Sequence, residues 1–175
     1  RQRQMCIRDR VPGTHLVEHQ AKLSGTQWIQ VHSKGEQEAE IRDLENALST
    51  LDIDGVVSGA LRSDYQKSRI ERMAERLSIK SWTPLWHQSS HSHMHGLIEN
   101  GFQVFITGVS SEGLGKEWIG RTLDSSSLQE LEALSVKYRF NVDGEGGEYE
   151  TLVTGGPHLP GRLELTGTVE WDGRR

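Results

Sequence analysis

Apolar positions in this 175-residue chain recur at two periods that alternate along its first half. Between residues 63 and 77, Ile70, Met73, Ala74 and Leu77 fall at i, i+3, i+4 and i+7, one buried helix face, with Ser63 or Asp64 as cap. Ile41, Leu44, Leu48 and Leu51 repeat at helical spacing in a segment beginning at Gly35, and acids crowd its first turn, where the helix dipole favours them. A further helix is expected from Thr14, as N-cap, to Ser24, with Gly25 as its stop. Between these lie period-two stretches. "TQWIQVH" (26–32) alternates and reads as a strand, "DGVVSGA" (54–60) as a short buried parallel strand, and "IKSWTPLW" (79–86) as a strand ended near Pro84. An α-β-α-β-α-β order argues a parallel sheet with helices on its faces. It opens on a helix, where a doubly wound domain opens on a strand and a ligand-binding loop.

After Trp86 the pattern changes. "HQSSHSHMHG" is polar and reads as a His-rich surface loop. "FQVFITGV" (102–109) is strand-sized and leads through a Gly-punctuated loop into a short helical piece around "GLGKEW". "SSSLQELEALSVKYRF" (125–140) places Leu128, Leu131 and Leu134 on one helical face behind serine caps. The boundary is therefore expected between 85 and 95. Three segments result: 1–10, a non-native stretch; 11–88, a nucleotide-type domain lacking its first strand; and 89–175, a smaller α+β subdomain. The fold class is α/β, a partial doubly wound parallel sheet followed by that subdomain.

Composition narrows the partners. A net charge of −5 provides no basic field for nucleic acid or anionic lipid, and no apolar run approaches the ~20 residues of a membrane span. The single cysteine, Cys6, excludes an internal disulfide framework and suits a reducing cytoplasm. The opening "RQRQMCIRDR" is basic, aperiodic and joins abruptly to "VPGTHLVEHQ". It lacks the apolar core and cleavage site of a secretory signal and reads as foreign to the fold.

Two constellations could carry chemistry. In "VVSGALRSDYQKSR" a strand ends at Ser58–Gly59 and a helix begins near Asp64, where free N–H groups and the dipole suit phosphate. Arg62, Lys67 and Arg69 sit on the first turns of that helix against the dipole, tolerable if an anion is bound; a solvated face is the alternative. In "DGEGGEYE" (143–150), four carboxylates share eight residues with three glycines. Strand alternation puts Glu148 and Glu150 on one face and Tyr149 on the other, while Gly146–Gly147 allows a bend that brings Glu145 to the same cavity. Such a cluster could hold Mg²⁺, ammonium or a quaternary amine, with Tyr149 offering its ring to a bulky cation; an exposed acidic hairpin tip is the alternative. His87, His91, His93 and His95 have no closed zinc spacing, and no metal is assigned to them. "SSEGLGKEW" is not a P-loop, and no G-x-S-x-G is present.

"GVVSGALRSDYQKSRIERMAERL", "GLGKEWIGRTLD" and "FNVDGEGGEYETLV", in that order, resemble the diphthine–ammonia ligase family, in the short layout of its archaeal members. The likeness runs from Val11 to Val153. It implies an adenine-nucleotide α-hydrolase-like domain and a substrate domain. It also implies a reaction: ATP activates the carboxylate of diphthine on translation elongation factor 2 as an acyl-adenylate, and ammonia displaces AMP. ATP and Mg²⁺ are the implied cofactors, ammonium and the elongation factor the partners, and the cytoplasm the location. The likeness assigns Gly59, Ala60, Ser63, Tyr65, Gln66 and Arg69 to ATP phosphates, Glu145, Glu148 and Glu150 to catalysis, and Gly146, Gly147, Tyr149 and Thr151 to substrate. The family opens with a Ser-Gly-Gly-Lys-Asp-Ser loop that is absent here, so the expectation is an N-terminally truncated chain that binds ATP poorly. After Val153, "TGGPHLPGRLEL" also departs from the family pattern. A related ATP pyrophosphatase acting on another substrate, such as a tRNA base, and a non-catalytic binding module are the competing readings.

Overall fold

Each helix that the 3.6-residue stripe predicts forms, and in two of them a single side chain caps the first turn. The computed structural model describes residues 16–33 and 37–171; the segment 1–10 and the Thr14 cap lie outside the described residues. Helix α1 spans Val17–Ser24 and stops at Gly25, whose φ of 67° is the left-handed cap that glycine adopts without strain. The described residues form two compact units, one within 29–88 and the other made of 16–28 together with 89–171.

In the first unit, α2 (Gln37–Leu48) is followed by β1 (Gly55–Val57), α3 (Asp64–Arg76) and β2 (Lys80–Trp82). The two strands pair in parallel, with Val56 opposite Ser81 and Val57 opposite Trp82. A side chain at Gly55 would put its Cβ 2.8 Å from the Lys80 carbonyl oxygen, so only glycine fits that close pairing. Ser63 caps α3, its hydroxyl accepting from the Gln66 amide. Met73 and Ala74 of α3 are buried with Ala60 and Leu61, and Arg76 Nε donates to both carboxylate oxygens of Glu45 on α2 at 2.9 and 3.0 Å.

Strand β1 is parallel as expected but not buried. Val57 and Trp82 are 69% and 65% exposed, because the sheet has two strands among the described residues and alternation turns both side chains to the face these residues leave uncovered. The expected strand at 26–32 does not form. Trp28 and Ile29 are exposed, no strand among the described residues pairs with them, and the division between the units falls between these two residues. Alternation marks a strand only where a neighbour supplies the ladder.

The second unit contains α1, α4 (Ser90–Glu99), β3 (Gln103–Val109), a 3₁₀ turn (Lys116–Trp118), α5 (Ser125–Tyr138) and β4 (Tyr149–Gly155). Strands β3 and β4 are antiparallel, with irregularities between Gln103 and Val104 and between Ile106 and Gly108. Met94, Ile106, Trp118, Leu128, Leu131 and Tyr149 belong to one buried cluster. The cap of α5 is Asp124 rather than a serine: its carboxylate accepts from the Ser127 amide at 2.8 Å, and Ser127 Oγ accepts from the Asp124 amide at 2.8 Å. This reciprocal box holds the Asp124 carboxyl near 2, below the usual carboxylate range, chiefly through the Ser127 amide.

The His-rich stretch is a helix, not a loop. Ser89 caps it by accepting from the Ser92 amide at 3.0 Å. Met94 enters the core and Leu97 and Ile98 pack against it, so the apolar positions 94, 97 and 98 supply a buried stripe that the intervening histidines obscure. Among the described residues, no helix is long and apolar enough to cross a membrane.

Candidate functional site

The acidic loop is closed by its own backbone before any ligand is considered. Gly144 and Gly147 take φ of 70° and 85°, and the Gly144 and Gly147 amides donate to Asn141 and Gly144 carbonyls at 3.0 and 2.9 Å. Gly144 also lies against the Tyr149 ring, 3.2 Å from where its own Cβ would be, so a larger residue would crowd that ring. The Ser110 and Ser111 amides both donate to the Glu148 carbonyl, at 2.8 and 3.1 Å, and Ser110 Oγ donates to the Gly147 carbonyl. The glycines are thus required by turn geometry and by a crowded ring.

Tyr149 and its two acidic neighbours divide as strand alternation dictates. The Tyr149 ring is 4% exposed and packs in the core, where its hydroxyl donates to the Val142 carbonyl. Burial raises its pKa, with the charges of Asp143 and Glu148 adding to the shift. A ring so enclosed cannot meet a substrate cation; its work is to hold the loop onto the core. Glu148 and Glu150 are half-buried on the other side. Glu148 Oε1 accepts from the Asn141 amide at 3.0 Å and from Asn141 Nδ2 at 3.1 Å. Its Oε2 and Glu150 Oε1 are shielded from solvent and meet no donor among the described residues. Burial alone raises the Glu150 pKa. A buried acceptor left unpaired costs on the order of 1–3 kcal/mol, so these two oxygens fit a cation or an N–H donor. The Glu145 amide donates to Asp143 Oδ1 at 3.4 Å, Gly146 is exposed, and Thr151 is exposed on β4 opposite Ile106.

In the first unit, the turn after β1 carries the other residues. Ser58 is buried, with its amide on the Trp82 carbonyl at 2.9 Å. Gly59 is exposed, and a Cβ there would meet nothing within 4 Å. Ala60 is buried in the unit's core and could face a ligand only with its backbone. Ser63 Oγ is occupied by the α3 cap, 3.3 Å from the Gln66 amide. Tyr65 is exposed and accepts from Arg69 Nη1 at 2.9 Å, with the guanidinium 5.1 Å from its ring centroid. Arg69 Nε and Nη2 lie out of solvent and meet no acceptor among the described residues, which fits an anion. Lys67 is ion-paired with Glu71 and lies 5.3 Å from the Trp86 ring centroid, so its charge is balanced within the unit. Arg62 Nη1 donates to the Gln88 carbonyl at 3.5 Å.

Sequence reasoning missed Asn141, Ser110 and Trp86. Asn141 and Ser110 fix the loop from outside the glycine-rich stretch. The signal that could have found Asn141 is an amide side chain immediately before a turn.

Residues 3–81 match the family described as diphthamide synthase N-terminal domain, and residues 89–175 match the diphthamide synthase C-terminal domain. A diphthine–ammonia ligase of Homo sapiens is 35% identical over 128 residues, which cover 70% of this chain and 47% of the relative. One of Schizosaccharomyces pombe is 33% identical over 115 residues, covering 66% of this chain and 19% of the relative. One of Saccharomyces cerevisiae is 29% identical over 165 residues, covering 81% of this chain and 24% of the relative. The chain spans about half the length, or less, of these curated relatives.

Proposed function

This chain belongs to the diphthamide synthase family, and on that premise we propose that the protein carrying it amidates diphthine on translation elongation factor 2, using ATP and ammonium. ATP, accompanied by Mg²⁺, supplies the activation of the diphthine carboxylate, releasing pyrophosphate; ammonia then displaces AMP to form the amide. The observation that carries the reading is the pair of half-buried carboxylates Glu148 and Glu150, each with one shielded oxygen awaiting a cationic or N–H partner. Both the trimethylammonium of diphthine and the ammonium donor are such partners.

The residues divide the work by unit. In the first, the turn at Gly59 and Ala60, the α3 start at Ser63, Tyr65 and Gln66, and the unpaired nitrogens of Arg69 are assigned to ATP phosphates. In the second, Glu148 and Glu150, with Glu145, bind the cationic group, and one of them takes up the proton that ammonium must lose before it can attack. Gly146, Gly147 and Thr151 give the substrate backbone contacts and an open edge. The work belongs in the cytoplasm, where elongation factor operates.

Replacing Glu148 by Gln keeps an oxygen for Asn141 and removes the charge. In the full-length gene product, Glu148→Gln is expected to lower amidation of diphthine-bearing elongation factor by roughly 100-fold or more, with far-UV circular dichroism and ATP binding unchanged. Amidation at the unsubstituted rate would remove Glu148 from the reaction.

A further inference from the structure

Helix formation in the His-rich stretch creates a feature that the acidic loop and the ATP turn do not use. His91 and His95 stand at i and i+4 on α4, one turn apart on the same face. Their rings stack with centroids 4.1 Å apart and an interplanar angle of 26°. Glu132, from α5, turns one carboxylate oxygen to both: Oε1 is 3.1 Å from His95 Nε2 and 3.7 Å from His91 Nε2. All three ligand atoms lie within 4.8 Å of one another, the one such grouping of three among the described residues. His95 and Glu132 are partly buried, whereas His91 is exposed, so the cluster opens to solvent on one side.

We propose that His91, His95 and Glu132 form a binding site for a divalent transition-metal ion of the zinc class. Both histidine-to-carboxylate spacings match a coordination shell. Two ligand atoms held 2.0–2.1 Å from a tetrahedral ion stand about 3.3 Å apart, and the observed 3.1 and 3.7 Å bracket that value. Two imidazoles and one carboxylate oxygen are a borderline-soft set that suits Zn²⁺, Co²⁺ or Ni²⁺ and disfavours Mg²⁺, which prefers six oxygens. The solvent side leaves a fourth position for water. The ion would fasten α4 to α5, the helices that send Met94, Leu128 and Leu131 into the core. This site is separate from the residues assigned above to amidation, so neither reading depends on the other.

Co²⁺ titration of the metal-free full chain, followed by its visible d–d bands, tests the proposal, with Zn²⁺ competition and Mg²⁺ as control. The expected result is one ion per chain, displaced by Zn²⁺ and not by Mg²⁺, and a midpoint of thermal unfolding that rises with Zn²⁺. His95→Ala and Glu132→Gln should each weaken Co²⁺ binding about 10-fold or more, while His93→Ala, in the same stretch but outside the cluster, leaves it within about 2-fold. His93, His95 and Glu132 are partly buried, so circular dichroism of each variant without metal checks that the fold persists. Failure to bind Co²⁺ stoichiometrically, or equal affinity in His95→Ala, would overturn the site. An equal loss in His93→Ala would overturn it too, since the affinity would then belong to histidine content and not to the triad.

Discussion

The two units solve the same problem with different sheets, and one of them leaves it half solved. In the second unit, a long antiparallel pair is flanked by α4 and α5, and Trp118 and Tyr149 are 1% and 4% exposed. In the first, a three-residue parallel pair has α3 against it, and the tryptophan of its second strand, Trp82, is 65% exposed. An antiparallel sheet functions with one wet face, whereas a parallel sheet is ordinarily covered on both. Tryptophan in the two units therefore means different things: a core anchor at 118, an uncovered apolar surface at 82.

The largest test of that contrast is a pair of truncations. Trp118→Ala should destabilise the second unit by about 3–5 kcal/mol, because it empties a buried site beneath the Arg121 guanidinium 4.1 Å from the ring centroid. Trp82→Ala should change stability by less than about 0.5 kcal/mol. Denaturant unfolding of both variants measures the difference. Comparable losses would mean that the face carrying Trp82 is covered in solution.

The caps provide the next comparison. Ser63 holds α3 through a hydroxyl, and Asp124 holds α5 through a carboxylate. Ser63→Ala should cost about 1 kcal/mol equally from pH 3 to 7, since a hydroxyl does not titrate there. Asp124 behaves otherwise. Its folded pKa of about 2 lies below its ordinary 3.8, so its contribution is complete above that ordinary value and is lost as pH falls toward 2. Asp124→Ala should remove that part of the acid-induced loss of stability, as unfolding midpoints recorded between pH 2 and 5 would report. An unaltered acid limb would show that other carboxylates dominate it.

The smallest expected effect concerns the acidic loop. Burial raises the Glu150 pKa above its ordinary 4.5, so its protonated form is favoured on folding and that contribution fades as pH rises through the raised value. In the ligand-free protein Glu150→Gln should therefore raise the unfolding midpoint at pH 7 by about 1–2 °C, with the gain vanishing below pH ~4. A lower midpoint at pH 7 would mean that Glu150 has a favourable partner in the folded protein. Stabilisation by removing a charge marks a carboxylate placed for a ligand at the expense of the fold.

Some of this protein was legible in the order of its residues. The α3 stripe, its serine cap, the Gly25 stop and the Leu128–Leu131 face are signals carried within a dozen residues, and local hydrogen bonds and periodic burial are enough to realise them. The split of Glu148 and Glu150 from Tyr149 was legible too, because strand alternation requires no knowledge of the partner strand. What a strand pairs with is another matter. "TQWIQVH" alternates as well as β4 does, yet forms no ladder, and Val57 remains bare although its strand pairs as expected. Tyr149 went to the core because Val142 and the underside of the loop were waiting there, and Glu132 met His91 and His95 only when two helices distant in sequence packed together. Backbone conformation answers to neighbours along the chain; burial and convergence answer to neighbours in space, and those exist only once the chain has folded.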